Sequence, residues 1–310
     1  MSTRDLVVLG TASQVPTRYR NHGGYLLRWD GRGLLFDPGE GCQRQMLLAN
    51  VSATDITRIL ITHFHGDHCL GLAGIVQRIS LDQVPHRIDV HFPQSGQIFY
   101  DRLRHASLYQ DKANLFPRPI VREGKIFEDG KIAIFARRLD HGVDTFGYRL
   151  CEHDSVRVLP EKLEELGIQG RQIGELVRHG SLDFHGRRVT LDEVSVPKKG
   201  QVVAFVMDTR LCDGAYQLAE GADLLVCEST FLNSEKSEAY TYRHLTVGDA
   251  ARLARESNAR RLVLTHFSQR YPNLERFKTE AEEIHDDVVI PRDGMYIPVP
   301  KRRYSHNRFG

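Results

Sequence analysis

Three features common in membrane and secreted proteins are missing from this sequence. The longest apolar run extends only from Val202 to Met207, whereas a membrane-spanning helix needs about 20 apolar residues. The first apolar run, Leu6–Leu9, lacks the longer apolar region of a signal peptide. The five cysteines are odd in number and widely scattered, which does not suit a disulfide framework. We therefore expect a cytoplasmic protein that makes no membrane contact.

The sequence also lacks an excess of charge of either sign. Its 42 Lys and Arg residues nearly balance its 40 Asp and Glu residues. Net charge therefore neither indicates nor excludes a nucleic-acid partner, which would need a local basic surface. No Pro-rich or Ser-rich linker divides the 310 residues, so we expect a single domain over residues 1–310.

Short apolar runs alternate with segments of helical patterning, which indicates a layered α/β fold. Strands are predicted at Leu6–Leu9, Gly33–Phe36, Arg58–Ile61, Ile88–Phe92, Ile132–Ala136, Val202–Met207, Leu224–Val226 and Leu262–Leu264. Helices are predicted at Gly41–Ala49, Leu72–Ile79, Gly96–His105, Asp213–Ala219 and Val247–Glu256.

Residues 152–199 depart from this alternation, because they are polar and lean towards helix. The few apolar anchors of the segment are Leu163, Leu166, Ile168, Ile173, Leu176 and Val177. These are too few for an independent core, so we expect an insertion that stands on the main body.

The strongest chemical signal is a cluster of metal-ligand side chains between Thr62 and His68. His63, His65, Asp67 and His68 fall within six residues directly after a predicted strand. Such a set is difficult to pack in a core, and imidazole suits zinc better than magnesium. A solvated polar loop is the alternative interpretation, and we consider it much weaker.

Three more side chains of ligand type follow other predicted strands. His141 comes after Ile132–Ala136, Asp208 after Val202–Met207, and His266 after Leu262–Leu264. Taken singly, His141 suits a turn and Asp208 suits a helix cap. Ligand sites of α/β sheets lie where strands end, so these residues and the cluster can converge on one cleft. Together they supply two metal sites if Asp208 bridges them.

The pattern His-x-His-x-Asp-His, followed by a separated His, Asp and His, resembles the metallo-β-lactamase superfamily. That resemblance implies an α/β, four-layer αββα sandwich. It also implies a first metal at His63, His65 and His141, a second at Asp67, His68 and His266, and Asp208 shared between them. Asp37 matches a supporting acidic residue. Two adjacent metals would activate a water molecule and neutralise charge on a phosphoryl group, with Asp67 accepting the proton.

The superfamily contains several kinds of hydrolase, and the fold alone does not select one. Two-zinc lactamases usually carry Cys where Asp208 stands, which argues against that class. Thioester or small-ester hydrolases of the glyoxalase II type share the full ligand set and remain an alternative. A non-catalytic RNA-binding scaffold is a further alternative, although such proteins would be expected to lose ligands.

Two motifs resemble the ribonuclease Z family within that superfamily. The segment Pro16–Asn21 resembles the family's Pro-x-Lys-x-Arg-Asn loop, and it offers Arg18, Arg20 and Asn21 as RNA contacts. Glu228 and His244 match the family's paired motifs. The resemblance makes His244 the proton donor to the departing ribose 3′ oxygen, with Glu228 orienting it. An ordinary position at a helix start, with Thr246 as cap, is the alternative for His244.

The same resemblance supplies the remaining expectations about substrate and assembly. Residues 152–199 occupy the place of the family's substrate-binding arm, where Arg171 and Arg178 would contact RNA. The implied partner is precursor tRNA, the implied assembly is a homodimer, and the implied cofactor is two Zn²⁺ per subunit, or else Mn²⁺ or Fe²⁺. The basic tail from Lys301 to Arg308 offers further RNA contacts, although a solvated terminus is its commoner explanation.

Overall fold

The structure is a computed structural model that describes residues 3–302. Most of the basic tail named above, from Arg303 onward, lies outside the described residues.

The described strands, in chain order, are β1 (Arg4–Gly10), β2 (Gly24–Trp29), β3 (Arg32–Phe36), β4 (Arg58–Leu60), β5 (Ile88–Pro93), β6 (Leu115–Ile120), β7 (Gly124–Glu128), β8 (Ile132–Arg138), β9 (Phe146–Glu152), β10 (Ser155–Val158), β11 (Ser181–Phe184), β12 (Arg187–Thr190), β13 (Ser195–Lys198), β14 (Val202–Val206), β15 (Leu224–Glu228), β16 (Arg261–Thr265), β17 (Val288–Val289) and β18 (Tyr296–Pro298).

The described α-helices are α1 (Cys42–Leu48), α2 (Gly66–Cys69), α3 (Leu72–Leu81), α4 (Gln97–Arg104), α5 (Pro160–Glu165), α6 (Arg171–His179), α7 (Asp213–Ala219), α8 (Lys236–Tyr242), α9 (Val247–Glu256) and α10 (Glu275–Glu282). Within residues 3–302, none of them combines the length and apolar character needed to cross a membrane.

Two mixed sheets form the centre of the described fold. The first has the order β18-β1-β2-β3-β4-β5-β6, and the second has the order β17-β16-β15-β14-β9-β8-β7. In the second sheet β9 is antiparallel to both β8 and β14, while β14, β15 and β16 are parallel. The strands β8, β14, β15 and β16 therefore run in one direction and end at the same edge of the sheet.

Three clusters of buried apolar residues lie between the four layers of the structure. Along β1, Leu6 and Val8 face the layer between the sheets, where they join residues such as Phe205. The alternating Val7 and Leu9 face outward and pack with apolar residues of α1 and α3. Side chains of α7, α9 and α10 cover the outer face of the second sheet. This period of two is what a strand buried on both faces requires, and the expected αββα fold is confirmed.

Each predicted strand and helix coincides with an element of the structure. The prediction missed β2 and β9 among others, and β9 shows why. Gly147 lies inside β9, and a Cβ there would come within 2.4 Å of the Leu218 side chain and 2.9 Å of the Phe205 carbonyl oxygen. Glycine weakens a strand pattern in the sequence, but here it permits close packing between the strand and its neighbours.

Residues 153–200 lie between the paired strands β9 and β14. They form the antiparallel pairs β10–β13 and β11–β12 together with α5 and α6, so the expected helical character covers only part of the segment. Its buried apolar residues form a small cluster of their own, namely Leu163, Ile168, Leu176, Val189 and Val194. The prediction that this segment lacks its own core is therefore wrong. Val177, expected to be an anchor, is 47% exposed.

Candidate metal centre

The ends of strands from both sheets deliver side chains to one cleft. His63 follows β4 of the first sheet. His141, Asp208 and His266 follow β8, β14 and β16 of the second sheet, and Glu228 is the last residue of β15. Because these four strands end at one edge, the fold gathers residues that are far apart in the chain.

The short helix α2 supplies the rest of the cluster. His65 stands at its N-cap position, and Asp67 and His68 belong to its single turn. All the predicted ligands except His65 are buried, and His65 lies at the surface of the cleft.

The ligand atoms fall into three overlapping groups, and within each group they lie within 4.8 Å of one another. The groups are His63 with His65, His141 and Asp208; Asp67 with His68 and His266; and Asp208 with His244 and His266. The structure thus brings all seven predicted ligands together in the two predicted sets, with Asp208 next to both. Their role as ligands stays a prediction.

Most of the imidazole rings are held at the nitrogen that points away from the centre. The contacts of these outer Nδ1 atoms are His63 with Thr62 Oγ1 at 3.0 Å, His68 with Asp37 Oδ2 at 2.9 Å, His141 with the Arg243 carbonyl oxygen at 3.1 Å, and His266 with Thr230 Oγ1 at 2.9 Å. An outer nitrogen that donates its hydrogen leaves the inner lone pair available to a metal. Asp37 therefore takes the supporting position expected for it.

The polar atoms at the centre fit a bound cation. Oδ1 of Asp208 is buried and has no hydrogen-bond partner within residues 3–302, and Nε2 of His266 lies 3.2 Å from it. Leaving a buried carboxylate oxygen without a hydrogen bond is costly. Nε2 of His68 lies 3.2 Å from Nε2 of His266, and Nε2 of His63 lies 2.9 Å from Nδ1 of His65. Converging nitrogens around an unpaired carboxylate oxygen form a set of metal donors.

The electrostatic environment differs between the two predicted ligand sets. Burial lowers the pKa values of His63, His65 and His141 below the ordinary histidine value, which keeps these rings neutral. Burial alone would lower the pKa of His68 too, but the carboxylates of Asp208 and Asp67 outweigh it and raise that pKa. The second set therefore attracts positive charge.

Backbone strain accompanies the same residues. Asp37, Asp208 and His266 have φ angles of 43°, 39° and 60°, in the left-handed region that non-glycine residues seldom adopt. Such conformations cost about 1–3 kcal/mol each and concentrate at functional sites. These residues lie where the chain leaves β3, β14 and β16, next to the cluster of ligands.

Glu228 and His244 form a buried pair beside the metal ligands. Nδ1 of His244 donates to Oε1 of Glu228 at 2.9 Å, and Glu228 also accepts hydrogen bonds from the Thr209 amide and the Thr230 hydroxyl. Burial would lower the pKa of His244, but the charge of Glu228, followed by that of Asp208, raises it to about 9. Thr246 does cap α9, yet this does not prevent His244 from facing the cleft.

Gln14 and His22 were not predicted as site residues, but Gln14 contacts Asp67 and His22 contacts Gln14. The amide of Gln14 donates to Oδ2 of Asp67 at 2.7 Å, and φ of Gln14 is 53°. Nε2 of the buried His22 lies 3.1 Å from the Gln14 carbonyl oxygen, which can only accept a hydrogen. The sole signal in the sequence is a histidine directly after the Pro16–Asn21 loop.

That loop does not present all of its predicted RNA contacts. Arg18 is exposed, but the guanidinium of Arg20 donates to the carbonyl oxygens of Tyr271 and Ser268 at 2.9 and 3.0 Å. The side-chain amide of Asn21 donates to the carbonyl oxygens of His22 and Glu40. These bonds fix the loop in place, so they argue against direct phosphate contacts by Arg20 and Asn21.

The two predicted arm contacts lie apart from the metal centre. Arg171 and Arg178 are exposed residues of α6, within the inserted segment. They are seven positions apart, so they project from the same side of that helix. Arg171 also lies 3.6 Å from the carboxylate of Glu175.

The cleft itself has a volume of about 750 Å³. Five of the predicted ligands line it together with His244, and these ligands are His65, Asp67, His141, Asp208 and His266. Its outer wall includes Phe231, Tyr242 and Arg270. The opening therefore gives a substrate access to these five ligands and to His244 at once.

Comparisons with known proteins agree on fold and family. The sequence model of the metallo-beta-lactamase superfamily matches residues 24–189, and that of a beta-lactamase superfamily domain matches residues 177–267. "Ribonuclease Z" of Salinispora arenicola is 58% identical over 98% of this chain and 98% of the relative. "Ribonuclease Z" of Streptomyces coelicolor is 55% identical over 98% of this chain and 100% of the relative. The crystal structure of human tRNase Z, short form, matches with a TM-score of 0.71 and 26% identity, covering 96% of this chain and all of that one.

Proposed function

Because this chain belongs to the ribonuclease Z family, whose members are metal-dependent endoribonucleases that process tRNA, we propose that it removes the 3′ trailer from precursor tRNA. The cut leaves a 3′-hydroxyl on the tRNA. The observation that carries this proposal is the pair of ligand sets joined at Asp208, with the Glu228–His244 pair directly beside them. A hydrolase of phosphodiesters needs both a charge-neutralising centre and a proton donor.

We propose two zinc ions per subunit as the native cofactor. Five of the seven candidate donors are imidazoles and the other two are carboxylates, a combination that suits zinc. Mn²⁺ and Fe²⁺ are the other divalent ions that this donor set accepts. Bound there, the two ions would supply the Lewis acidity that activates water near neutral pH and offsets phosphoryl charge. His63, His65 and His141 would hold the first, Asp67, His68 and His266 the second, and Asp208 both.

Protein side chains then handle the protons. Asp67, oriented by the Gln14 amide, accepts the proton of the attacking water. His244 donates a proton to the departing ribose 3′ oxygen, since its Nδ1 is engaged by Glu228 and its Nε2 is the nitrogen left for the substrate. Glu228 is fully buried and holds the ring in one orientation and one tautomer.

Recognition of the tRNA body is assigned to the inserted segment. Residues 152–199 form the substrate-binding arm in this proposal, with Arg171 and Arg178 on one side of α6 as phosphate contacts. Arg18 is a further exposed basic residue that this proposal offers to the RNA. The homodimer and the cytoplasmic location remain predictions.

A multiple-turnover assay on a precursor tRNA tests the reaction. We expect release of the 3′ trailer, a 3′-hydroxyl on the tRNA product, loss of cleavage in the presence of a chelator, and recovery on addition of zinc. Lactoylglutathione serves as the control substrate for a thioester hydrolase and should show little turnover. Rapid turnover of the thioester without trailer release would contradict the proposal.

Asp67→Ala separates catalysis from binding. The variant should lose nearly all cleavage, because it removes both the proton acceptor and a candidate ligand, while precursor tRNA still binds measurably through surfaces outside the cleft. Loss of binding together with cleavage would mean that Asp67 maintains the fold rather than the chemistry.

A further inference from the structure

An exposed aromatic ring forms part of the cleft wall next to the proposed proton donor. Tyr242 is the last residue of α8, and it is 61% exposed although it lines the cleft. The chain turns at Arg243, whose φ is 59°, and places His244 in the cleft immediately afterwards. The short connection fixes the position of the ring relative to the donor.

Phe231 lies behind this ring in the wall, and Arg270 packs in turn against Phe231. Phe231 is only 4% exposed, and its ring is nearly parallel to that of Tyr242, with an interplanar angle of 17° and a centroid distance of 6.5 Å. The ring centroid of Phe231 also lies 6.1 Å from that of His244. The guanidinium of Arg270 lies 5.0 Å from the Phe231 centroid on this wall. Tyr242 is therefore supported by a buried ring behind it while most of its own surface stays open to solvent.

Exposure alone does not identify a binding residue, since single exposed aromatic residues are common. The chemistry of the neighbouring group is more specific. His244 protonates the ribose 3′ oxygen in the proposed reaction, so the nucleotide that carries this oxygen must lie against His244. The base of that same nucleotide extends from the same ribose, within reach of the adjoining wall.

We propose that Tyr242 is the stacking platform for the nucleobase immediately 5′ to the scissile phosphate. This subsite rests on the proposed function and specifies how its substrate is held. Stacking on an aromatic ring accepts any base, because every base has a π face. The contact aligns the ribose 3′ oxygen with His244 without restricting the sequence at the cut.

The same helix provides a matched control. Tyr240 is also exposed, at 67%, but it does not line the metal cleft. It lines a neighbouring depression, where the guanidinium of Arg210 lies 4.7 Å from its ring centroid. A change at Tyr240 removes an aromatic ring of equal size from the same helix without touching the proposed subsite.

The test uses metal-loaded enzyme and two precursors that differ at one nucleotide. One is an intact precursor tRNA, and the other carries an abasic nucleotide immediately 5′ to the scissile phosphate. On the intact precursor, Tyr242→Ala should lower kcat/KM by about 5- to 100-fold, whereas Tyr242→Phe should stay near the parent value because stacking needs the ring and not the hydroxyl. Tyr240→Ala should stay within about twofold. On the abasic precursor, the parent enzyme and Tyr242→Ala should cleave at the same reduced rate.

Two results would overturn the subsite. One is an equal loss on both precursors in Tyr242→Ala, which would mean that the ring supports the fold of the wall. The other is a comparable loss in Tyr242→Phe, which would assign the contact to the hydroxyl. If the parent enzyme released no trailer from the intact precursor, the proposed function itself would fail, and the subsite with it.

Discussion

The imidazole of His244 is largely buried beside Glu228, and burial ordinarily favours the neutral form of a histidine. Burial lowers the pKa of His244, but the negative charge of Glu228 outweighs burial and raises this pKa to about 9. A proton donor with that pKa is charged at neutral pH and ready to act. The rate of cleavage should therefore depend on pH through the ion pair of His244 with Glu228.

Replacing Glu228 with Gln tests that dependence. A general acid is lost as pH rises through its pKa, so kcat of the parent enzyme should fall only above about pH 9. Without the negative charge of Glu228 the pKa of His244 falls, and the alkaline decline should begin about one to three pH units lower. Measurement of kcat from pH 6 to pH 10 checks this.

The control for that experiment is His244→Ala. It should cleave about 100- to 10,000-fold more slowly, show no such alkaline limb, and keep its metal. An unchanged limb in Glu228→Gln, or zinc loss in His244→Ala, would assign the pair a structural role instead.

A second residue acts on catalysis without reaching the substrate. His22 holds the carbonyl oxygen of Gln14, whose amide orients Asp67. His22→Leu should lower kcat by about tenfold, the equivalent of one ordinary hydrogen bond, with KM and metal content unchanged. His22→Gln places an amide donor near the same carbonyl and should recover most of the rate. A loss of metal in His22→Leu, or no recovery in His22→Gln, would argue against this positioning role.

Among the larger elements, α6 offers the clearest test of RNA binding. Arg171 and Arg178 lie on one side of it, and each phosphate contact contributes a little less than one to the slope of log affinity against log salt concentration. Replacing both with Ala should raise KM for precursor tRNA and flatten that slope by about one to two. Binding measured between 50 and 200 mM salt shows the change.

The control for the arm is Arg276→Ala, which removes an arginine with a similar pairing from the main body. Arg276 lies on α10 and pairs with Glu280 four residues on, as Arg171 is placed relative to Glu175. It should leave the salt slope unaltered. If the arm variant and Arg276→Ala changed KM equally, the arm would have no special part in binding.

A sequence shows which side chains cluster along the chain, but it does not show which backbone groups the fold brings to a site. His63, His65 and His68 were predictable as a site because three imidazoles in one turn have no use in an apolar core. The contact of Gln14 with Asp67 was not predictable, because it is made by the backbone amide of a residue with a positive φ. Arg20 was predicted to contact RNA because Pro16–Asn21 resembles the family's loop, whereas in the fold its guanidinium donates to two carbonyl oxygens.

The layers were easier to predict than the inserted segment for a related reason. Strands such as β14 bury both faces, which requires apolar side chains at every position. The inserted segment has a small core made of residues distant in its own sequence, including Leu163 and Val194. No periodic pattern joins them, so the core became visible only in the fold.

For the whole molecule, metal binding should contribute to stability. Ligands that bind only the folded chain stabilise it, and here the donors come from both sheets. Chelation should lower the melting temperature by about 5 °C or more, and added zinc should restore it. Asp208→Asn should show a smaller difference, because it removes a donor common to both sets. Differential scanning calorimetry with and without chelator measures this.

Asp82→Asn is the matched control, because Asp82 pairs with Arg78 on the surface at the end of α3. It should respond to the chelator as the parent protein does. Identical melting of the parent protein with and without chelator would contradict a structural contribution from the metals.

The division of the donors between the two sheets has a consequence for biosynthesis. Translation delivers the His63–His68 cluster early, but Asp208 and His266 are made only when the second sheet nears completion. A nascent chain still on the ribosome therefore carries half of a coordination set and no proton donor. Hydrolytic competence arises only after nearly the entire polypeptide has emerged, so an unfinished or prematurely terminated product cannot attack the RNA that surrounds it during its own synthesis.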